Sequence, residues 1–303
     1  VAAPTVLDTA PSPHRSALAQ TWRAFRRDRA AVVSAGVILL VALLSVTAPI
    51  LPLDDPIDGD RRLSLQGMFS NGHILGVDKQ GRDILSRVIW GGRASLPIAI
   101  TPVILATVFG MVLGVTAGFL GGPGSRRWGR FYDGLVMRIN DVVFAFPTVV
   151  LAITIAAYLG NGPRSVVIAS AVVLIPPITR VAYAATREQL GRDFVLAARA
   201  IGASNNRIML RHIVPNMLAP VIVYVTTLVG LMVVFTAGLS FLGLGIQPPN
   251  AEWGIMVSQG REVLNVAPHV AAVPGIVIAL VALAFNLAGD GLRYALDPRV
   301  RNL

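Results

Sequence analysis

From Ala30 to Leu53 the chain runs without a single charged residue. An α-helix needs about 20 apolar residues to cross the hydrocarbon core of a bilayer, so this run is long enough to span one. Comparable stretches recur at Ala94–Leu120, Val142–Leu159, Ser165–Ala185, Leu218–Gly243 and Val270–Gly289. In lipid every backbone N–H and C=O must find a partner within the protein, and a helix supplies those partners from its own segment. The predicted fold class is therefore all-α and integral to a membrane, with six transmembrane helices. The first run is too long and starts too late for a cleavable signal peptide, and reads as a crossing. Composition agrees: 54% of the residues are hydrophobic and 14% charged, with a mean hydropathy of +0.67. Soluble domains carry about 25% charged residues.

Six crossings put both termini on one side, and the charges test that arrangement. The side holding the termini receives 18 of the 26 Lys+Arg residues, while the 16 acidic residues divide evenly. The positive-inside rule makes the basic side cytoplasmic. The implied organisation is a cytoplasmic segment 1–29, a first crossing 30–53, an extracytoplasmic loop 54–93, a core 94–289 and a cytoplasmic tail 290–303. Within segment 1–29, Leu18, Trp22 and Phe25 share one helical face, suited to the membrane interface with arginines toward lipid headgroups. Arg180 falls inside the fourth run and is expected near the headgroups, where a long side chain can snorkel. The net charge of +10 is scattered among loops, whereas nucleic-acid binding needs it on one accessible face. That partner class is excluded.

Several kinds of chemistry are missing. A phosphate-binding loop needs Gly-Lys-Ser/Thr, and the one lysine, Lys79, is followed by Gln80. Neither His-Glu-x-x-His nor Gly-x-Ser-x-Gly occurs, cysteine is absent, and the four histidines (His14, His73, His212, His269) are scattered. Asp54, Asp55, Asp58 and Asp60 follow Pro52 as a solvated run. No crossing carries an acidic residue near its centre, as ion-coupled carriers commonly do. Asp141 is expected at the start of the third crossing, where a helix N-terminus favours a carboxylate. Catalytic and metal sites are not expected, and the energy source must lie on another chain. Gly110, Gly114 and Gly118 share one face of the second crossing and mark a packing surface, toward either this chain or a partner.

The loop between the fourth and fifth runs, 187–215, reads as helix, turn, helix. Asp193 can open the first helix, and Phe194–Ile201 are mostly good helix formers. Gly202 suits the left-handed residue that ends a helix; Ser204 or Asn205 can cap the second, which Pro215 would end. Ala197, Ala198 and Ala200 provide a small-residue surface for close approach by another protein. The alternative is a basic interfacial hairpin without a partner.

Ala197-Ala198-x-x-x-Gly202, with Pro215 thirteen residues later, resembles the cytoplasmic EAA loop of ABC importer permeases. Leu196 stands where the general signature has glutamate, so no role of that glutamate carries over, and His212 replaces the usual isoleucine. The octet Ala197–Ser204 matches the version found in peptide importers. Trp22–Arg29, Gly76–Arg87, Ser240–Gly245, Pro248-Pro249, Trp253-Gly254, Gly260-Arg261, Phe285–Arg293 and Leu296–Arg299 are similar, in order, to the C-type permease of dipeptide and oligopeptide importers. The resemblance implies the type I ABC importer permease fold, with 94–289 as permease core. It further implies a coupling helix that docks on an ATPase, drawing on Asp193, Ala197, Ala198, Gly202, Ala203, Ser204, Arg207, Arg211 and Pro215. In the final outer loop, 244–269, Glu252, Trp253, Arg261 and Glu262 are expected to contact a substrate-binding protein or form the outer gate. The implied partners are a homologous second permease, two ATPase subunits or domains, the binding protein and membrane lipid. No cofactor is expected on this chain, ATP and Mg²⁺ belonging to the ATPases. The implied cargo is a di- or oligopeptide, with glutathione, nickel or a haem-like ligand as alternatives; a secondary transporter is the rival mechanism.

Overall fold

The computed structural model describes residues 17–122 and 124–296. Among them no β-strand occurs, and the chain runs as helices: α1 (Ala17–Arg27), α2 (Arg29–Thr47), α3 (Ile84–Leu120), α4 (Arg127–Phe144), α5 (Thr148–Leu159), α6 (Pro163–Leu190), α7 (Asp193–Ala200), α8 (Asn205–Phe241), α9 (Trp253–Arg261) and α10 (His269–Leu296). Five of these, α2, α3, α6, α8 and α10, are each long and apolar enough to cross a membrane, and α4 with α5, bent sharply between them, brings the number to six if the pair is one span.

Local chemistry sets several helix ends. Asp28 caps α2 by accepting from the Ala31 N–H at 3.1 Å, and Asp83 caps α3 through Ser86 N–H at 2.7 Å. Pro163 opens α6 at a position where its missing N–H costs no hydrogen bond. Gly243, with φ +85°, lies just past the end of α8; its N–H donates to Ser240 O and that of Leu244 to Leu239 O. This is the left-handed glycine cap.

The structure departs from the sequence expectation at three boundaries. First, α3 begins at Ile84, so the segment expected as loop through residue 93 is helical over its last turns. With 37 residues, α3 is roughly 55 Å long, well beyond the ~30 Å hydrocarbon core, and its first turns project into the loops there. Second, Pro215 does not end the second hairpin helix. The helix passes through it into the fifth crossing, with a π-helical stretch at Ile208–Ile213 just before it. A proline ring clashes with the carbonyl four residues back, and a π turn displaces the normal i→i−4 ladder there. Third, the third crossing is not one helix from Val142. α4 and α5 meet at a 91° bend around Ala145–Pro147, because the residue before a proline is pushed out of helical conformation. Asp141 therefore lies in the last turn of α4, not at a helix start. A carboxylate is unfavourable beside the negative end of a helix, and the Arg180 guanidinium pairs with it. Arg180 also stacks 4.6 Å from the Phe144 ring centre, so this cation has partners within the protein.

The glycine stripe of α3 packs within the chain, against α6. A methyl at Gly110 would lie 2.8 Å from Ile178 Cγ2, and one at Gly114 would lie 2.4 Å from the Thr179 carbonyl oxygen. The core follows from that approach: Ala99, Val103, Ala106, Leu174, Ile178, Met232 and Val281 bury their side chains where α3, α6, α8 and α10 meet.

Candidate functional site

Two constellations sit at opposite ends of the bundle: the hairpin α7–α8 at one end, and a loop-built cap around α9 at the other.

The hairpin is anchored on α6, which ends at Leu190 before Gly191. Arg192 occupies the cap position of α7, and Asp193 lies in its first turn, where a carboxylate complements the helix dipole. Ala203 N–H donates to Ala198 O at 3.0 Å and Gly202 N–H to Arg199 O at 3.0 Å, with Gly202 at φ +78°. This paired-bond termination is the left-handed glycine motif expected at that residue. Ser204 stands at the start of α8 with no side-chain cap bond. The inner face of the hairpin packs Val195, Ala198, Ile208, Ile213 and Met217 into one cluster with Val115, Phe119 and Leu190. Ala198 therefore faces inward and is not part of the outer surface. Ala197, Ala200, Ser204, Arg207, Arg211 and Pro215 are exposed, and Ala203 is half-buried. Exposed beside them are the large apolar residues Leu196 and Ile201, the latter at 85%. Arg187 donates to Gly121 O at 2.8 Å, tying the root of the hairpin to the end of α3.

At the opposite end, two of the four residues expected to face a binding protein are interior. Glu252 is 2% and Trp253 1% exposed. The Glu252 carboxylate caps α9, accepting from Gly254 N–H at 3.0 Å and Ile255 N–H at 2.9 Å, and takes the Ser95 hydroxyl at 3.1 Å. Burial pushes this carboxyl above the usual range, against the opposing pull of those backbone N–H groups and the Ser95 hydroxyl. Trp253 Nε1 donates to Val88 O at 2.9 Å. The indole packs tightly on Gly91 and Gly92: a methyl at Gly91 would lie 3.1 Å from Trp253 Cδ1 and one at Gly92 3.2 Å from Cζ2. Both residues lock α9 onto α3 and lie beneath the surface in this conformation. Arg261 and Glu262 are exposed. Arg261 lies 5.4 Å from the Phe241 ring centre, and Glu262 accepts from Lys79 Nζ at 2.9 Å; that lysine holds the Glu262 carboxyl below its ordinary value.

Sequence reading missed the residues that tie this cap together. Asp78 pairs with Arg82 at 2.7 Å and lies 3.5 Å from Arg87 Nε, and all three are buried. Arg82 and Arg87 both donate to Pro249 O, at 3.3 and 3.2 Å, and Arg87 also to Pro56 O at 2.6 Å. Buried charges survive only when paired and hydrogen-bonded, and these link three loops. The signal available was the charged run Asp78-x-x-x-Arg82-x-x-x-x-Arg87 inside an otherwise apolar chain. Between the two ends, the α4–α5 bend opens a cavity of about 190 Å³. Phe144, Phe146, Pro176, Pro177 and Tyr224 are among its lining residues.

Comparison with known proteins places this geometry. Residues 110–302 match the family described as "Binding-protein-dependent transport system inner membrane component", and residues 16–66 match the N-terminal transmembrane domain of oligopeptide transport permease C. The glutathione transport system permease protein GsiD of Escherichia coli O6:K15:H31 is 40% identical over 295 residues, covering 96% of this chain and 93% of that protein. The GsiD of Pectobacterium atrosepticum is 41% identical over 285 residues, covering 93% and 91%. Among solved structures, an inward-facing crystal form of the MetNI methionine ABC transporter superposes with a TM-score of 0.58 at 18% identity, over 70% of this chain and 96% of that one. The fold is that of an ABC importer permease, and the chain belongs to the family of inner-membrane components of binding-protein-dependent transport systems, as a permease subunit of an ABC importer.

Proposed function

We propose that this chain forms half of a translocation path for small peptides, of the size of a dipeptide or the tripeptide glutathione. The cargo is handed over by a substrate-binding protein, and a homologous second permease completes the path. The observation that carries this reading is the near full-length similarity to glutathione permeases, 40% over 295 residues. Partner ATPases hold ATP and Mg²⁺ and supply the energy through the hairpin. Its outward face, with Asp193, Ala197, Ala200, Ile201, Ser204, Arg207 and Arg211, docks in the ATPase, while Ala198, Gly202 and Ala203 shape the turn behind it. Closure of the ATPases moves the hairpins, and α8, continuous from hairpin to crossing, carries that displacement into the bundle. The hairpin end and both termini are cytoplasmic, in keeping with the excess of arginine there. Arg261 and Glu262 remain as the exposed pair of the cap that a binding protein can contact.

The test is uptake. The chain is co-expressed with the permease, ATPase and binding-protein genes that neighbour it, in a host lacking its own peptide importers. ATP-dependent accumulation of labelled glutathione or dipeptide is expected from the complete set and not from this chain alone. Failure of the complete set to accumulate any peptide, with ATPase activity stimulated by a different solute, would overturn the cargo assignment.

A further inference from the structure

The cap holds a second group of side chains that the transport reading does not use. His73, from the loop before α3, places Nδ1 2.9 Å from Asp83 Oδ1 and 3.6 Å from Asp54 Oδ2, and the three atoms lie within 4.8 Å of one another. Their neighbours are spoken for in other ways. Asp55 accepts from the backbone N–H groups of Ile57 and Asp58, Asp60 caps the turn at Arg62, and Asp78 pairs with Arg82. Asp83 divides its oxygens: Oδ2 caps α3 through Ser86 N–H, leaving Oδ1 toward the imidazole. His73 is mostly buried, Asp83 is buried, and Asp54 is 66% exposed at its side chain. The arrangement is a partly buried imidazole and a buried carboxylate, with a third ligand on the open side.

We propose that Asp54, His73 and Asp83 form a binding site for a divalent transition ion of the zinc class. Bonds of about 2.0–2.1 Å in tetrahedral array separate ligand atoms by roughly 3.4 Å; the two carboxylate oxygens lie 2.9 and 3.6 Å from His73 Nδ1, and within 4.8 Å of each other. One imidazole with two carboxylates selects a borderline ion over magnesium or calcium, which favour all-oxygen shells. The neutral His73 ring would offer its Nδ1 lone pair to the ion with its proton on Nε2, and water would complete the shell on the exposed Asp54 side. The ion would brace the cap, since its ligands come from three places: just after α2, from the intervening loop, and from the N-cap of α3. The proposal is independent of which solute the importer carries.

Zinc binding to the purified, chelator-stripped full chain within its transporter, carrying a tag without histidine, tests this. Competition against a chromophoric chelator measures affinity, thermal unfolding measures the bracing, and Mg²⁺ serves as the control ion. One high-affinity Zn²⁺ is expected at this site, with a rise in Tm that Mg²⁺ does not reproduce. His73→Gln, which keeps a hydrogen-bonding side chain beside Asp83, should weaken binding at least a hundredfold. Asp54→Asn, at an exposed position that folding tolerates, should weaken it at least tenfold and abolish the rise in Tm. Wild-type affinity and an unchanged Tm response in Asp54→Asn would overturn the proposal, as would equal binding of Mg²⁺.

Discussion

Glu252 lies in a loop at the end of an apolar bundle, where a carboxylate would ordinarily be left to water. Its three hydrogen bonds, from Gly254, Ile255 and Ser95, turn it into the buried cap of α9 instead. Glu252→Ala should destabilise the protein by about 1–3 kcal/mol, the cost of orphaned buried donors. Trp253→Ala should cost about 3–5 kcal/mol through the cavity it leaves. Arg261→Glu, on the exposed edge of the same cap, should change stability by no more than about 0.5 kcal/mol, while weakening binding-protein docking. Thermal unfolding in detergent separates the three, and a Tm unaffected by Glu252→Ala would refute the capping role. The raised folded value of Glu252 has its own sign. The folded state holds this proton more tightly than the unfolded chain, so the contribution is full below the unfolded carboxylate range and is lost as pH rises through the folded value. The Tm difference between Glu252→Gln and wild type should therefore shift in favour of the variant as pH rises from mildly acidic to neutral. A pH-independent difference would contradict it.

At the scale of elements, the α3–α6 contact and the hairpin make separable claims. Gly114 meets the Thr179 carbonyl so closely that any side chain must force the helices apart. Gly114→Leu should reduce the folded yield sharply, with overpacking of at least about 1–3 kcal/mol. Gly238→Ala in α8, where nothing lies within 4 Å of the added methyl, should leave yield unchanged, and equal yields would remove the argument for close packing. In the hairpin, Ala197 and Ala198 are adjacent yet face opposite ways. Ala197→Arg should leave Tm intact and uncouple transport from ATP hydrolysis, whereas Ala198→Arg should lower Tm by burying a charge in the cluster with Ile208 and Met217. Gly202→Val should strain its left-handed turn by roughly 1–2 kcal/mol and also uncouple. ATPase activity measured with and without loaded binding protein reads the coupling; normal stimulation in Ala197→Arg would mean that this face does not dock.

For the whole molecule, the absence of cysteine makes membrane sidedness directly measurable. Single cysteines at Ser125 and Ser204 should label with an impermeant reagent only after the cytoplasmic face is opened. Those at Asn71 and Asn161, both exposed at the cap end, should label in intact cells. Asn302 would serve the same purpose but lies outside the described residues. Labelling of Ser204 from outside would invert the proposed orientation, and with it the assignment of the hairpin to the ATPase side.

The apolar runs determined the helical membrane class and marked the five long helices able to cross, because bilayer thickness sets the run length a crossing needs. Gly202 was legible as a left-handed turn, and Asp193 as a first-turn residue, because those preferences are local to a few neighbouring atoms. Burial was not. Ala198 and Ala197 carry the same side chain, and only the packing of α7 on Ile208 and Ile213 decides which one faces out. Glu252 and Trp253 looked like surface groups because nothing local in sequence announces Ser95 and Val88, some 160 residues away, as their partners. Asp141 changed from helix start to helix end when Pro147 broke the third span, and Arg180, on another helix, then completed its pairing. Length, period and turn chemistry are set by neighbours in the chain; which face meets solvent, and which charge meets which, waits for helices distant in sequence to pack.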